Sequence, residues 1–243
     1  MSIKSIVKKI LKYTPFYPKH IGVYIRDLYF WRYVNRLPLK SFAFILEAGC
    51  GGGEYANKIA LKYPNSTIDA YDIKKYKSWG KKANNVNFKK INLIKLKKEN
   101  HYDFCLCIDV LEHISENYKV IENIYKALKI GGYAYIHMPG KNKKRIFPEI
   151  FFRKFNNWEK EEHIGTFYTL KELKYIINSI GFEINVARKT FGFLGSFAWE
   201  VDRITDKLMI LKIILMPMLK ILGILDTIFS KNGVNLLILA RKK

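Results

Sequence analysis

Ile45-Leu46-Glu47-Ala48-Gly49-Cys50-Gly51-Gly52-Gly53 decides how this chain is read. An apolar run ends in a carboxylate, and three glycines then alternate at positions 49, 51 and 53. Glycine lets a backbone turn sharply and lets a ligand lie against bare peptide. At the carboxyl edge of a parallel sheet, such a turn stands where ligands bind. The loop alone fits a nucleotide pyrophosphate, another nucleotide-type ligand, or no more than a tight turn.

The surrounding pattern supplies the sheet. Short apolar runs at Phe42–Leu46, Thr67–Tyr71, Val86–Ile91, His101–Ile108 and Tyr133–Met138 alternate with helical stretches at Glu54–Tyr63 and Glu116–Leu128. The second helix is expected to close at Gly131-Gly132. Thr169-Leu170-Lys171-Glu172 has the form of a capping box, and Gly181 ends the helix it opens. Two further strands are expected at Phe182–Val186 and Asn235–Ala240. Strands alternating with helices imply right-handed crossovers and a parallel sheet, and continuous apolar strands fit a sheet covered on both faces.

Two carboxylates sharpen the loop. Glu47 precedes the first glycine, where it would repel a pyrophosphate and suit a cationic amino group. Asp72 ends the second strand, where a carboxylate can accept both hydroxyls of a ribose. The spacing is Gly-x-Gly-x-Gly, not the Gly-x-Gly-x-x-Gly of nicotinamide dinucleotide folds.

With these residues in place, the segment 45–53 resembles the first motif of class I S-adenosylmethionine-dependent methyltransferases. Tyr71-Asp72-Ile73 resembles the end of their second strand, and Tyr102-Asp103-Phe104 through Asp109-Val110-Leu111-Glu112-His113-Ile114 their fourth-strand motif. Leu128–Tyr133 resembles their turn into the fifth strand. The resemblance covers about residues 40–243. It implies a Rossmann-like, doubly wound, seven-stranded, mostly parallel sheet with helices on both faces and an antiparallel last strand. It also implies S-adenosyl-L-methionine as cofactor and S-adenosyl-L-homocysteine as product. By resemblance, Gly49, Gly51 and Gly53 pack against the methionine portion with Glu47 near it. Asp72 takes the ribose hydroxyls and Ile73 lies beside the adenine. Asn92-Leu93 follows the third strand, where the family often has an acidic residue; the Asn amide oxygen can still accept from the adenine amino group. Asp109 sits at the mouth of the site.

If the acceptor is a hydroxyl, a base helps remove its proton. His113 and His163 are the candidates, each weighed against a merely capping or packing role. His137, alternating within the fifth strand, reads as structural. No metal is expected. Cys105 and Cys107 alternate in one apolar run, Cys50 stands alone, and no second Cys/His pair stands at zinc spacing. The three read as small core hydrophobes, and their odd number argues for a reducing compartment.

Of the 243 residues, 43 are Lys or Arg and 21 Asp or Glu, a formal charge of +22. Either lysine fills solvated positions throughout, or the chain attracts a polyanion, meaning nucleic acid or an acidic membrane surface. No recognised RNA-binding appendage is present, which makes nucleic acid the weaker partner. No secretory signal is apparent.

Organisation follows from the punctuation. Residues 1–40 read as a helical extension: Ile3, Ile6, Val7, Ile10 and Leu11 share one arc, with Lys4, Lys8, Lys9 and Lys12 facing away, and an aromatic helix follows at Tyr24–Tyr33. Residues 41–243 read as the main domain, with an acceptor-side insertion at 139–168 and an apolar helical insertion at 204–230. Within the latter, Leu208–Leu225 is near the lower length limit for a membrane span, but Lys212, Pro217 and Lys220 argue against one. On a straight helix, Lys212, Lys220 and Asp226 would form one narrow stripe, leaving a wide apolar face to be covered. The cover is the protein itself, a homodimer partner or a membrane surface.

The expected function is methyl transfer, through O-methylation, to a small-molecule or lipid-linked acceptor such as a glycolipid, saccharide or quinone-like compound. The expected place is the cytoplasm, either free of the membrane or peripheral on its inner face. The competing classes are a nicotinamide-dependent oxidoreductase and an RNA methyltransferase.

Overall fold

The computed structural model describes residues 14, 16, 17, 20–39 and 43–243. The amphipathic pattern over residues 3–11 lies outside them. The chain divides into two compact units.

One unit comprises residues 38–141, 161–188 and 236–243. It carries β1 (Phe44–Ala48), α2 (Glu54–Lys62), β2 (Thr67–Asp72), β3 (Val86–Lys90), β4 (Tyr102–Ile108) and α3 (Asn117–Ala127). After these come β5 (Leu128–Pro139), α5 (Leu170–Ile180), most of β6 (Phe182–Thr190) and β7 (Asn235–Lys242). The sheet has seven strands in the order β3-β2-β1-β4-β5-β7-β6 and is mixed but mostly parallel. Parallel pairing joins β1 to β2, β1 to β4, β2 to β3 and β4 to β5. The order runs one way from β1 to β3 and the other way from β4. The carboxyl ends of β1 and β4 therefore form the topological switch point of a doubly wound fold. The core joins Leu46, Cys105, Cys107 and Ile136 of the strands to Val120, Ile124, Leu173 and Ile177 of the helices. The expected capping box forms at Thr169 and Glu172, and Gly181 stops α5 at φ +112°.

A buried carboxylate sits inside this sheet. Asp69 on β2 accepts from the Tyr71 and Tyr102 hydroxyls, each at 2.8 Å, and Asn87 Nδ2 approaches it at 3.3 Å. Burial pushes the Tyr71 hydroxyl up to about 12.

Most elements fall within a few residues of their expected bounds; two differences bear on the site. β1 runs on to Ala48, two residues past the expected Leu46, so Glu47 lies inside the strand. α3 stops at Ala127 and β5 starts at once, so Gly131 and Gly132 do not close the helix. Instead they make a bulge: Tyr102 pairs with Leu128, but Phe104 pairs with Tyr133. Gly131 takes φ +82°, and a Cβ on Gly132 would meet carbonyl oxygens of Lys129, Tyr102 and Asp103 at 2.9–3.2 Å. Only glycine fits both demands.

The other unit comprises residues up to 37, 142–160 and 189–235. It contains α1 (Ile21–Val34), most of α4 (Arg153–Glu162), α6 (Phe193–Ile204) and α7 (Met209–Phe229). The helices α1, α6 and α7 pack on one another. A Cβ on Gly223 of α7 would lie 2.8 Å from Ile25 of α1, so the glycine permits their close approach. Charged side chains sit inside. Lys212 Nζ lies 2.8 Å from both Asp202 Oδ1 and Asp206 Oδ1. Asp226 accepts from the Tyr29 hydroxyl at 3.0 Å and from the Gly195 N–H at 3.0 Å. The Glu200 carboxylate accepts from the N–H groups of Ile146 and Phe147. Each buried charge thus has ionic or hydrogen-bonded partners, the condition under which burial is tolerated.

Candidate active site

The three glycines of the loop do different work. All take positive φ: +80° at Gly49, +49° at Gly51 and +79° at Gly53. A Cβ on Gly49 would stand 2.3 Å from Val110, and one on Gly53 would stand 2.2 Å from the Phe88 ring. These two let the loop press against β4's extension and β3. A Cβ on Gly51 would meet nothing within 4 Å. Gly51 is the point where bare peptide faces open space.

The loop is tied to the end of β2. The N–H groups of Gly49 and Cys50 both donate to the Tyr71 carbonyl, at 2.8 and 2.9 Å. The Gly51 N–H donates to Asp72 Oδ2 at 2.8 Å, and the Lys74 N–H to Asp72 Oδ1 at 2.9 Å. A carboxylate offers about four lone-pair sites, so two N–H donors leave acceptor capacity for hydroxyls. Asp72 is half-buried at the strand end.

Glu47 is buried under the loop, where its Oε2 accepts the Ala56 N–H in the first turn of α2 at 2.7 Å. Burial pushes its carboxyl up to about 8; Asp72 and Glu54 add to the rise, while the Ala56 hydrogen bond and Lys58 oppose it. A group so placed gains from a cation. Burial, with Glu47 and Asp72 nearby, also pushes the Cys50 thiol up.

Residues after β2 complete the loop's surroundings, and the sequence reading missed them. Trp79 Nε1 donates to the Gly51 carbonyl at 2.8 Å and Ser78 Oγ to the Gly52 carbonyl at 3.0 Å. The Trp79 ring stacks on Phe88 with centroids 5.1 Å apart. Burial, followed by the charges of Asp72, Cys50 and Glu162, pushes the Tyr76 hydroxyl up. The signal was present as two aromatics, Tyr76 and Trp79, in a Lys-rich stretch just past Asp72.

Past the ends of β2 and β3, Ile73 is exposed and Leu93 buried. Asn92 Oδ1 accepts the Ile94 N–H at 3.0 Å, so the amide caps its own turn. Asn123 Nδ2 holds that turn through the carbonyls of Leu93 and Ile94.

Past β4 the backbone turns through Asp109 at φ +52°. Asp109 Oδ1 pairs with His137 Nδ1 at 2.6 Å, and the Asp109 N–H donates to the His137 carbonyl. His137 thus braces Asp109 from within β5.

The two candidate histidines, fifty positions apart, meet. Their rings stand 4.7 Å apart, edge to face. The segment after α4 is clamped to the turn after β4: the Gly165 N–H donates to the Glu112 carbonyl at 2.8 Å. A Cβ on Gly165 would lie 2.4 Å from the Leu111 carbonyl, so the clamp requires glycine. Asn117 Nδ2 reaches the carbonyls of Leu111 and Thr166 and fastens the same two segments. His113 Nδ1 lies 2.9 Å from the Glu162 carbonyl. A carbonyl only accepts, so Nδ1 carries the proton, and in the neutral ring Nε2 holds the lone pair. Glu112 completes the cluster: one donor atom from each of Glu112, His113 and His163 lies within 4.8 Å of the others.

The room before Gly51, the acceptor capacity of Asp72 and the buried Glu47 fit a ligand with a ribose and a cationic amino group. Comparison with known proteins agrees. Residues 24–186 match the model of the methyltransferase-domain family. Over 104 residues the chain is 34% identical to a ubiquinone biosynthesis O-methyltransferase of Rickettsia akari (strain Hartford), a match spanning 41% of each protein's length. Over 169 residues it is 27% identical to the protein of that name from Rickettsia prowazekii (strain Madrid E), spanning 67% of each. The structure of Haemonchus contortus phosphoethanolamine N-methyltransferase 2 in complex with S-adenosyl-L-methionine matches all of this chain and 60% of that one. Its TM-score is 0.63 at 18% identity, a likeness of fold. The expected cofactor stands, and the nicotinamide alternative falls away. The chain belongs to the class I S-adenosylmethionine-dependent methyltransferases.

Proposed function

We propose that this protein methylates a hydroxyl oxygen of a quinone-like, lipid-linked acceptor at the cytoplasmic surface of a membrane. The observation that carries this reading is the orientation of His113. The Glu162 carbonyl draws the ring proton to Nδ1, so the lone pair of the neutral ring is on Nε2. The His163 ring, packed edge-on, holds that imidazole in place.

S-adenosylmethionine supplies a methyl group already activated on a sulfonium, so alignment provides much of the acceleration. The chain's own work is then threefold. Gly49, Gly51, Gly53 and Asp72 hold the cofactor, with Glu47 toward its amino group and Ile73, Asn92 and Leu93 about its adenine. Asp109, backed by His137, closes the methionine side. His113 Nε2 takes the hydroxyl proton as the oxygen attacks, and His163 orients it.

The printed names of the Rickettsia relatives favour a quinone-like acceptor over a saccharide. The formal charge of +22 favours an acidic membrane surface. The test is incubation of the full chain with methyl-labelled S-adenosylmethionine and a polyprenylated catechol in vesicles, with soluble catechol and saccharide in parallel. Label on a phenolic oxygen of the prenylated compound is expected. Label on a ring carbon, or on the soluble acceptors alone, would refute the proposal.

A further inference from the structure

The helix α7 is turned inside out. Its 21 residues stay helical through Pro217. The side that packs into its own unit carries Lys212 and Asp226, exposed by only 5% and 1%. The side turned to solvent carries Ile210, Ile214, Met218, Ile221, Ile224 and Ile228, with exposures from 40% to 78%. At 100° per residue these six fall within one arc of about 120°, and no charged residue stands among them. From Ile210 to Ile228 the strip is about 27 Å long at 1.5 Å per residue. A soluble helix ordinarily shows the reverse arrangement.

No described helix is long and apolar enough to cross a membrane. α7 also cannot leave its unit without carrying Lys212 away from Asp202 and Asp206. An amphipathic helix in this state lies in an interface, with its apolar side in the acyl boundary and cations at the headgroups. The cations are present: exposed Lys207 precedes the helix and exposed Lys231 follows it, and Lys220 lies at the edge of the strip. A chain of charge +22 complements an anionic surface.

We infer that the outward face of α7 is the element by which this protein docks on an anionic lipid surface, the isoleucine strip entering the acyl boundary while Lys207, Lys220 and Lys231 meet the headgroups. This deepens the proposed function and rests on its membrane reading.

The test uses the full chain and vesicles of phosphatidylglycerol with phosphatidylcholine, against phosphatidylcholine alone. The chain is expected to bind the anionic vesicles, more weakly as salt rises. The double variant Ile214→Glu/Ile221→Glu should lose at least ten-fold in vesicle affinity with unchanged affinity for S-adenosylhomocysteine. Ile221→Trp should gain fluorescence that brominated acyl chains quench. Vesicle binding that is untouched by the double variant, with no quenching at position 221, overturns this inference and leaves the membrane reading intact. No vesicle binding at all overturns both. A dimer in solution that the double variant dissociates, with vesicle binding unchanged, assigns the strip to a second copy and also overturns the inference.

Discussion

His113 Nδ1 and the Glu162 carbonyl stand 2.9 Å apart, and this contact puts the ring proton on Nδ1 and the lone pair of the neutral ring on Nε2. A positioned general base contributes about 10²–10⁴-fold to a rate. His113→Ala should therefore lower kcat by about two orders of magnitude or more, within that range, with S-adenosylhomocysteine affinity held within about two-fold. His163→Ala, acting through His113, should cost less. Calorimetry for the product and a turnover assay check both. A His113→Ala protein of normal turnover removes the base assignment.

The donor atoms of Glu112, His113 and His163 are also close enough to gather round a cation. If His113 works as a base, protein treated with EDTA keeps its turnover. Loss of activity that Zn²⁺ or Mn²⁺ restores would assign the cluster to a metal instead.

The glycine loop separates folding from binding. Gly53→Ala puts a Cβ 2.2 Å from Phe88 at φ +79°, and clashes or strain of this kind cost about 1–3 kcal/mol. Its melting temperature should fall clearly. Gly51→Ala meets nothing within 4 Å. It keeps most of its stability, losing about 1–2 kcal/mol for the left-handed conformation, yet loses at least about ten-fold in cofactor affinity because the methyl occupies the ligand's side of the peptide. Equal effects of the two substitutions on melting and binding would contradict this division.

Glu47 gives a pH signature. Its folded carboxyl is raised to about 8, above the ordinary value of 4.5. The folded chain therefore holds a proton that the unfolded chain releases. The stability this contributes is complete below pH 4.5 and is lost as pH rises toward about 8. Glu47→Gln, which mimics the protonated form, should flatten the decline in melting temperature between those limits. If the cofactor's amino group meets Glu47, product binding near neutral pH releases close to one proton per site. Titrations in buffers of different ionisation enthalpy measure that release, and a value of zero detaches Glu47 from the amino group.

Asp109 depends on His137 for its place at φ +52°. Hydrogen bonds to charged groups contribute about 1.5–3 kcal/mol. His137→Ala should weaken S-adenosylhomocysteine binding by about ten-fold or more, and Asp109→Asn, which tolerates the left-handed backbone, by less in stability than in affinity. Unchanged binding in His137→Ala would make the pair structural only.

Much of this was legible along the chain because the signals are local. Apolar runs, the capping box at Thr169 and the spacing from Gly49 to Asp72 each report on a few neighbouring residues. The two histidines were nominated separately, but their meeting depends on Gly165 seating against Leu111, a fit between segments fifty residues apart. Trp79 and Ser78 were illegible for the same reason: their role is to cover carbonyls of a loop more than twenty residues earlier. The glycines at 131 and 132 misled because a helix stop and a strand bulge both ask for positive φ. For α7, the stripe expected of Lys212, Lys220 and Asp226 holds only in part: Lys212 and Asp226 point inward, while Lys220 stands at the edge of the outward strip. That orientation is set by acids at Asp202 and Asp206 on the preceding segment.

The buried group of Asp69, Tyr71 and Tyr102 has a consequence for distance. A one-residue slip of β2 would turn Asp69 to the opposite face of the sheet and strand both hydroxyls. Each buried polar atom left unmatched costs about 1–3 kcal/mol. The three side chains, reaching from β2 across β1 to β4, thus act as a ratchet that admits one alignment. Asp72 comes three residues after Asp69, about 10 Å along the strand at 3.3 Å per residue. The carboxylate that meets Gly51 is set to its mark by a lock placed well beneath the site.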